Sequence, residues 1–192
     1  MGAAGLDVLD LVKKADQNSG SSARGSDFTT VSGLLPAITA ANFTKIDSAV
    51  TLLSNITNKT DDQLLQLSIA QLTAAVIAVG QAGGGGFDSN GIPISCNGNC
   101  DLTDADAIIG ATVTTADGSA RTAGAYAATQ ITGAVSNISS ITLLAGSNIS
   151  GQINDLAADM QNSTPSTCST GGGTLSGNLL SNNIDNYLQS CI

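Results

Sequence analysis

The chain has 192 residues, 42% of them hydrophobic but only 3% aromatic and 11% charged, and carries a formal net charge of −9. Six Lys and Arg against fifteen acids weigh against a nucleic-acid partner and against anionic membrane surfaces, since both require phosphates to be neutralised. With no His in the chain, Ser-His and Cys-His nucleophile pairs are excluded.

The length suits one domain with a real core. Lacking Trp, that core must be filled by Ala, Leu, Ile and Val. Every acid is Asp, a residue that favours caps and turns over helix interiors. A surface supplied by Gly, Ser, Thr and Asn is closer to a secreted, envelope or coat protein than to a cytosolic enzyme.

Residues 3–17 read as a short amphipathic helix, with Val8, Leu11, Val12 and Ala15 on one face and Asp10–Lys14 as an i,i+4 pair. The composition of 18–26 is that of a flexible linker. This gives an N-terminal arm over 1–26 and a helical domain over 27–192. Asp27 can cap a helix over 28–35, which Pro36 ends. Phe43, Ile46, Val50 and Leu53 fall at helical spacing and predict a helix over 42–56.

After the turn Thr57-Asn58-Lys59 comes the stretch around which the chain is organised. Thr60 and Gln63 form a capping box, and Asp61 and Asp62 sit on the positive end of the helix dipole. The first half is amphipathic, broken by Gln63, Gln66 and Thr73. The second, Ala74 to Val79, is apolar all round, as in a core helix enclosed by others. Gly80 with Gly83 to Gly86 ends the run. No uninterrupted apolar stretch reaches the ~18–20 residues of a membrane span, so no transmembrane segment is expected. No signal peptide is recognisable either, and Met1-Gly2 reads as a start left after removal of one.

Residues 87–106 are irregular. Thr103 with Asp106 resembles a second capping box, opening a short helix to about Gly110. At 111–122, β-branched residues around Asp117-Gly118 suggest a hairpin; the Ala-rich flanks favour instead two helices meeting at a Gly turn. Ala127, Ile131, Ala134, Ile138, Ile141 and Ala145 recur at spacings of three and four, a charge-free helix over 123–145 that should pack on the central one. Ser150 precedes another helix through Met160, 162–173 is a loop, and Leu175, Leu179, Ile184, Leu188 and Cys191 close the chain with a last helix. The expected fold is all-α: one multi-helix bundle of about six to eight antiparallel helices, with one long disulfide-pinned loop.

The cysteines are Cys96, Cys100, Cys168 and Cys191. Without His, zinc would need all four thiolates at an unsuitable spacing. Disulfides in an oxidising, extracytoplasmic compartment are expected instead, paired by proximity as Cys96–Cys100 and Cys168–Cys191 among the three possible connectivities.

The leading site candidate is the loop from Ser95 to Asp106. Its Asn97, Asn99, Asp101, Asp104 and Asp106 carry the oxygens that calcium prefers. It departs from the EF-hand pattern at Ser95 and Cys100 and lacks the terminal Glu. A disulfide-pinned loop entering a capped helix explains Thr103 and Asp106 without a cation, so neither a metal nor a cofactor is expected. An Asp101/Asp104 pair lacks the aromatic platforms of glycosidases. The glycine run is no phosphate loop, because no Gly-Lys-Ser/Thr follows. Asn-x-Ser/Thr sequons stand at Asn42, Asn55, Asn58, Asn137, Asn148 and Asn162, a weak excess in a chain so rich in these residues.

Two functions emerge. The first is a non-catalytic extracytoplasmic structural or interaction protein, an envelope, coat or matrix component acting through a protein partner or self-association. The second is a helical binding module with an internal apolar cavity for a small hydrophobic ligand. No enzymatic activity is expected.

Overall fold

The computed structural model describes residues 37–87, 93–96 and 102–141. The arm over 1–26, the helices expected at 3–17, at 28–35, after Ser150 and at the C-terminus, and Cys100, Cys168 and Cys191 lie outside the described residues. Within them the chain is mostly helical, with four α-helices and a two-stranded antiparallel hairpin.

Helix α1 spans Ala40–Ser54, two residues earlier at each end than the hydrophobic spacing suggests. The Thr39 side chain caps it, accepting the Asn42 N–H at 3.2 Å. At the far end the Lys59 ammonium donates to Ser54 O (2.8 Å), a carbonyl that the helix leaves open, and to Ile56 O (2.7 Å) in the turn beyond it. Asn58, at φ 53°, turns the chain.

Helix α2, Asp61–Ala82, is the core helix that the sequence indicates. Both halves of its capping box form: Gln63 N–H donates to Thr60 Oγ1 (3.3 Å), and Thr60 N–H to Gln63 Oε1 (3.0 Å). From Leu67 to Gly80 every residue is buried. At ~1.5 Å per residue the helix is about 33 Å long. Its end is a Schellman turn, with Gly85 N–H on Gly80 O at 2.9 Å and Gly84 at φ 95°, a conformation that favours glycine. Gly80 does not end the helix. It lies within it, where a Cβ would stand 2.6 Å from the Phe87 ring and 2.7 Å from Ile38 Cδ1.

By length and composition α2 is sufficient to cross a membrane, with mean hydropathy 1.5 over its 18-residue window, which the interrupted apolar run does not suggest. However, 78% of that window is buried by the surrounding chain, the situation of a core helix.

Helix α3 (Leu102–Gly110) corrects the second capping box. It already includes Leu102, so Thr103 lies inside its first turn and cannot be the N-cap. Strands β1 (Thr112–Thr114) and β2 (Ala120–Thr122) correct the preference for helices at 111–122. They pair antiparallel with Val113 opposite Arg121. Consecutive β-branched residues outweigh the Ala-rich flanks because Val113 packs into the core at 2% exposure while Thr112 and Thr114 face out. The turn closes through Gly118 N–H on Thr115 O (2.9 Å), and Gly118 takes φ 82°.

Helix α4 (Ala123–Ser139) follows directly, capped by Thr122. It packs on α2, and more extensively than α1 does. The two helices approach closely: Ser68 Oγ reaches Ala134 O at 3.3 Å, and Asn137 Nδ2 donates to Gln71 Oε1 at 2.9 Å. A Cβ at Gly133 would stand 2.3 Å from Gln71 Nε2, so the glycine makes room for that side chain. The helix stops at Ser139, short of the expected 145. Ser139 and Ser140 hydroxyls both bond Ser136 O at 2.9 Å, competing with the backbone ladder. Ile141 beyond it is still buried.

Candidate functional site

The most developed polar constellation is centred on Asp47. Phe43, Ile46, Asp47 and Val50 form the buried face of α1, so helical spacing drives a carboxylate into the core together with its apolar neighbours. There its two oxygens are both engaged. Tyr126 OH, from α4, donates to Oδ1 at 2.6 Å, and the Ala116 N–H at the hairpin tip donates to Oδ2 at 2.7 Å. The Phe43 and Tyr126 rings meet edge to face, with centroids 5.1 Å apart and planes at 73°.

Burial, and then the hydrogen bond to Asp47, push the Tyr126 phenol far above the usual tyrosine range; Arg121 opposes this only weakly. The phenol is therefore held protonated as a donor, and the carboxylate is occupied as a double acceptor. Chemically the arrangement fastens α1, the hairpin and α4 to one another.

The hairpin tip is itself built around a second carboxylate. Asp117 Oδ1 accepts from Thr115 Oγ1 (2.6 Å) and from Ser119 N–H (2.9 Å). These bonds, Thr115 first, lower its pKa from 3.8 to about 2 although the group is fully exposed. This shapes the tip that presents the Ala116 N–H to Asp47.

The loop that sequence singles out is only partly described. Ser95 N–H donates to Gly83 O at 2.9 Å and Ile94 N–H to Gly86 O at 3.1 Å, so the short 3-10 turn Ile94–Cys96 lies against the end of α2. The glycine run is thus a close-packing turn. Asp106 is exposed on α3, Asp104 is half-buried and not without a partner, and Asn97, Asn99 and Asp101 lie outside the described residues. Among the described residues no three His, Cys, Asp or Glu side chains are grouped so as to hold a metal. Cys96 is buried and is not a free thiol.

The chain matches no known protein family, no curated protein and no solved structure. Its chemistry must be read from its own residues.

Sequence reasoning did not single out Asp47 or Tyr126. A signal was present for Asp47. It falls on the stripe Phe43-Ile46-Val50, an acid of a type disfavoured in helix interiors at a position that must be buried. Its partners, 69 and 79 residues away along the chain, had no local signature.

Proposed function

We propose that the protein is a non-catalytic, extracytoplasmic structural or interaction protein of the envelope, coat or matrix kind. The observation that carries this reading is the use made of the buried Asp47–Tyr126 pair. In an enzyme a buried carboxylate beside a phenol is valuable because one of its oxygens is open to substrate. Here both oxygens are engaged, one by a backbone amide, and the pair acts as a fastener. The absence of His from the sequence and the uncharged outer face of α4, with Thr129, Thr132, Ser136 and Ser139 exposed, agree with a surface made for contact with another protein or a second copy.

The finer architecture belongs to the same proposal: a single bundle of about six to eight helices, none of them spanning a membrane, around a loop pinned by disulfides. Cys96, buried and not free, is consistent with oxidation of Cys96, Cys100, Cys168 and Cys191 as Cys96–Cys100 and Cys168–Cys191. The close α2–α4 approach through Ser68, Gly133 and Ala134 counts against the alternative of an internal cavity, since small residues there draw the helices together.

Native mass measurement on protein from its source tests the reading. An oligomer or protein complex with all four cysteines oxidised is expected. A monomer with free thiols overturns it, and a retained small apolar molecule favours the binding module.

A further inference from the structure

We propose that Asn55, at the turn between α1 and α2, carries an N-linked glycan. The inference rests on the extracytoplasmic reading and goes beyond it by naming the modified atom, Asn55 Nδ2.

Four Asn-x-Ser/Thr motifs fall among the described residues, and the structure separates them. Asn137 Nδ2 donates to Gln71 Oε1 at 2.9 Å in the α2–α4 seam. A sugar there would occupy the space that Gly133 already yields to Gln71. Asn42 Nδ2 is turned back onto Ala37 O at 2.9 Å. Asn58 is exposed, but it sits at φ 53°, and the hydroxyl oxygen of its motif, on Thr60, already accepts the Gln63 N–H that caps α2.

Asn55 has none of these constraints. It and Thr57, the hydroxyl residue of its motif, are both exposed. The turn around it is held by groups other than its side chain: the Lys59 ammonium on Ser54 O and Ile56 O, and Asn55's own backbone N–H on the last carbonyls of α1. A glycan can be added without breaking a bond that the fold uses.

A second observation gives the modification a purpose. Leu52 is 71% exposed, the most exposed large hydrophobic side chain among the described residues. It lies three residues before Asn55, on the same helix face. A polar glycan on Asn55 would cover Leu52.

The reaction balances without a redox partner. Asn55 Nδ2 attacks C1 of a sugar carried on a polyprenyl diphosphate. The C1–N bond forms, the C1–O bond to the diphosphate breaks, and Nδ2 gives up one proton.

Peptide mapping of protein from its natural source tests this, before and after amidase removal of N-glycans, with a thiol count on the same sample. The expected result is conversion of Asn55 to Asp on glycan removal, with Asn137 unchanged. The exposed substitution Thr57→Ala, which leaves Asn55 and Leu52 in place, should remove one glycan mass. An unmodified Asn55 in protein whose cysteines are oxidised overturns this proposal alone. An unmodified Asn55 with free cysteines overturns the extracytoplasmic reading as well. A glycan at Asn137 or only at Asn58 also defeats the assignment.

Discussion

At the scale of single residues, Asp47 ties helix α1 to both the hairpin tip and α4. Asp47→Ala leaves the buried Tyr126 hydroxyl and the partly buried Ala116 N–H without an acceptor; a buried group so left costs about 1–3 kcal/mol and a partly buried one less. The expected loss is therefore about 2–4 kcal/mol in denaturant melts. Tyr126→Phe removes one donor and should cost less, about 1–2 kcal/mol, because the carboxylate keeps its backbone partner. The double variant should be less destabilised than the sum, since the two residues share one bond. Strict additivity would show that the bond contributes nothing. Asp117 gives a prediction in pH. Its folded pKa is depressed from 3.8 to about 2, so its contribution to the hairpin is fully present above the unfolded value and is lost as pH falls through about 4 towards 2. Protection of the Ser119 amide, measured relative to its intrinsic exchange rate at each pH, should fall over that window, and Asp117→Asn should abolish that fall. Capping residues such as Thr60 and Gln63 were legible in the sequence because both partners lie within one turn. Asp47 was not, because the meaning of a buried acid is set by donors on distant elements.

Among elements, local and tertiary signals explain which expectations hold. Helix α2 combined a cap, a long apolar run and a glycine stop, all agreeing, and it forms as expected. The segment 111–122 offered conflicting local signals. The conflict was settled by where Val113 could be buried and by the donor that the hairpin tip gives to Asp47, neither of which is visible locally. Gly133 reads as a flaw in α4 until Gln71 is seen beside it. This makes glycine substitutions informative. At Gly133 a Cβ meets the flexible end of Gln71, whereas at Gly124 it meets Ile109 Cβ at 2.9 Å and Ile109 O at 3.1 Å, part of which is backbone. At Gly110 it meets nothing within 4 Å. Replacing glycine by alanine in a helix gains up to about 1 kcal/mol in propensity. Gly133→Ala should offset that gain by losing the Gln71–Asn137 bond, Gly124→Ala should be clearly destabilising, and Gly110→Ala near neutral. Melting temperatures, at about 2–4 °C per kcal/mol for a chain of this size, test the order. Gly124→Ala melting at or above the parent would contradict the α3–α4 packing.

For the whole molecule, one cluster of the described core brings Ile46, Ile69, Ala70 and Ile77 from two helices against Val113 and Tyr126. A chain only 11% charged has few ion pairs with which to specify tertiary contacts, and the proposed disulfides would supply covalent ones. Cys96 lies where such a link would fix the 3-10 turn against the end of α2, next to the bonds from Ser95 to Gly83 and from Ile94 to Gly86. The pairing with Cys100 would close a small ring and act mainly on that loop. A Cys168–Cys191 link closes a much longer one, for which the chain-entropy relation gives about 3 kcal/mol. Thiol titration of denatured, unreduced protein should therefore find essentially no free cysteine, and reduction should lower the denaturant midpoint. Paired serine substitutions separate the two links. Cys168→Ser with Cys191→Ser should account for most of the loss, and Cys96→Ser with Cys100→Ser for a smaller part confined to amide protection around 83–96. If the second pair of substitutions instead proved the more damaging, the turn at Cys96 would be supporting α2 itself, and the proposed connectivity would have to be exchanged for one joining this loop to the C-terminal cysteines.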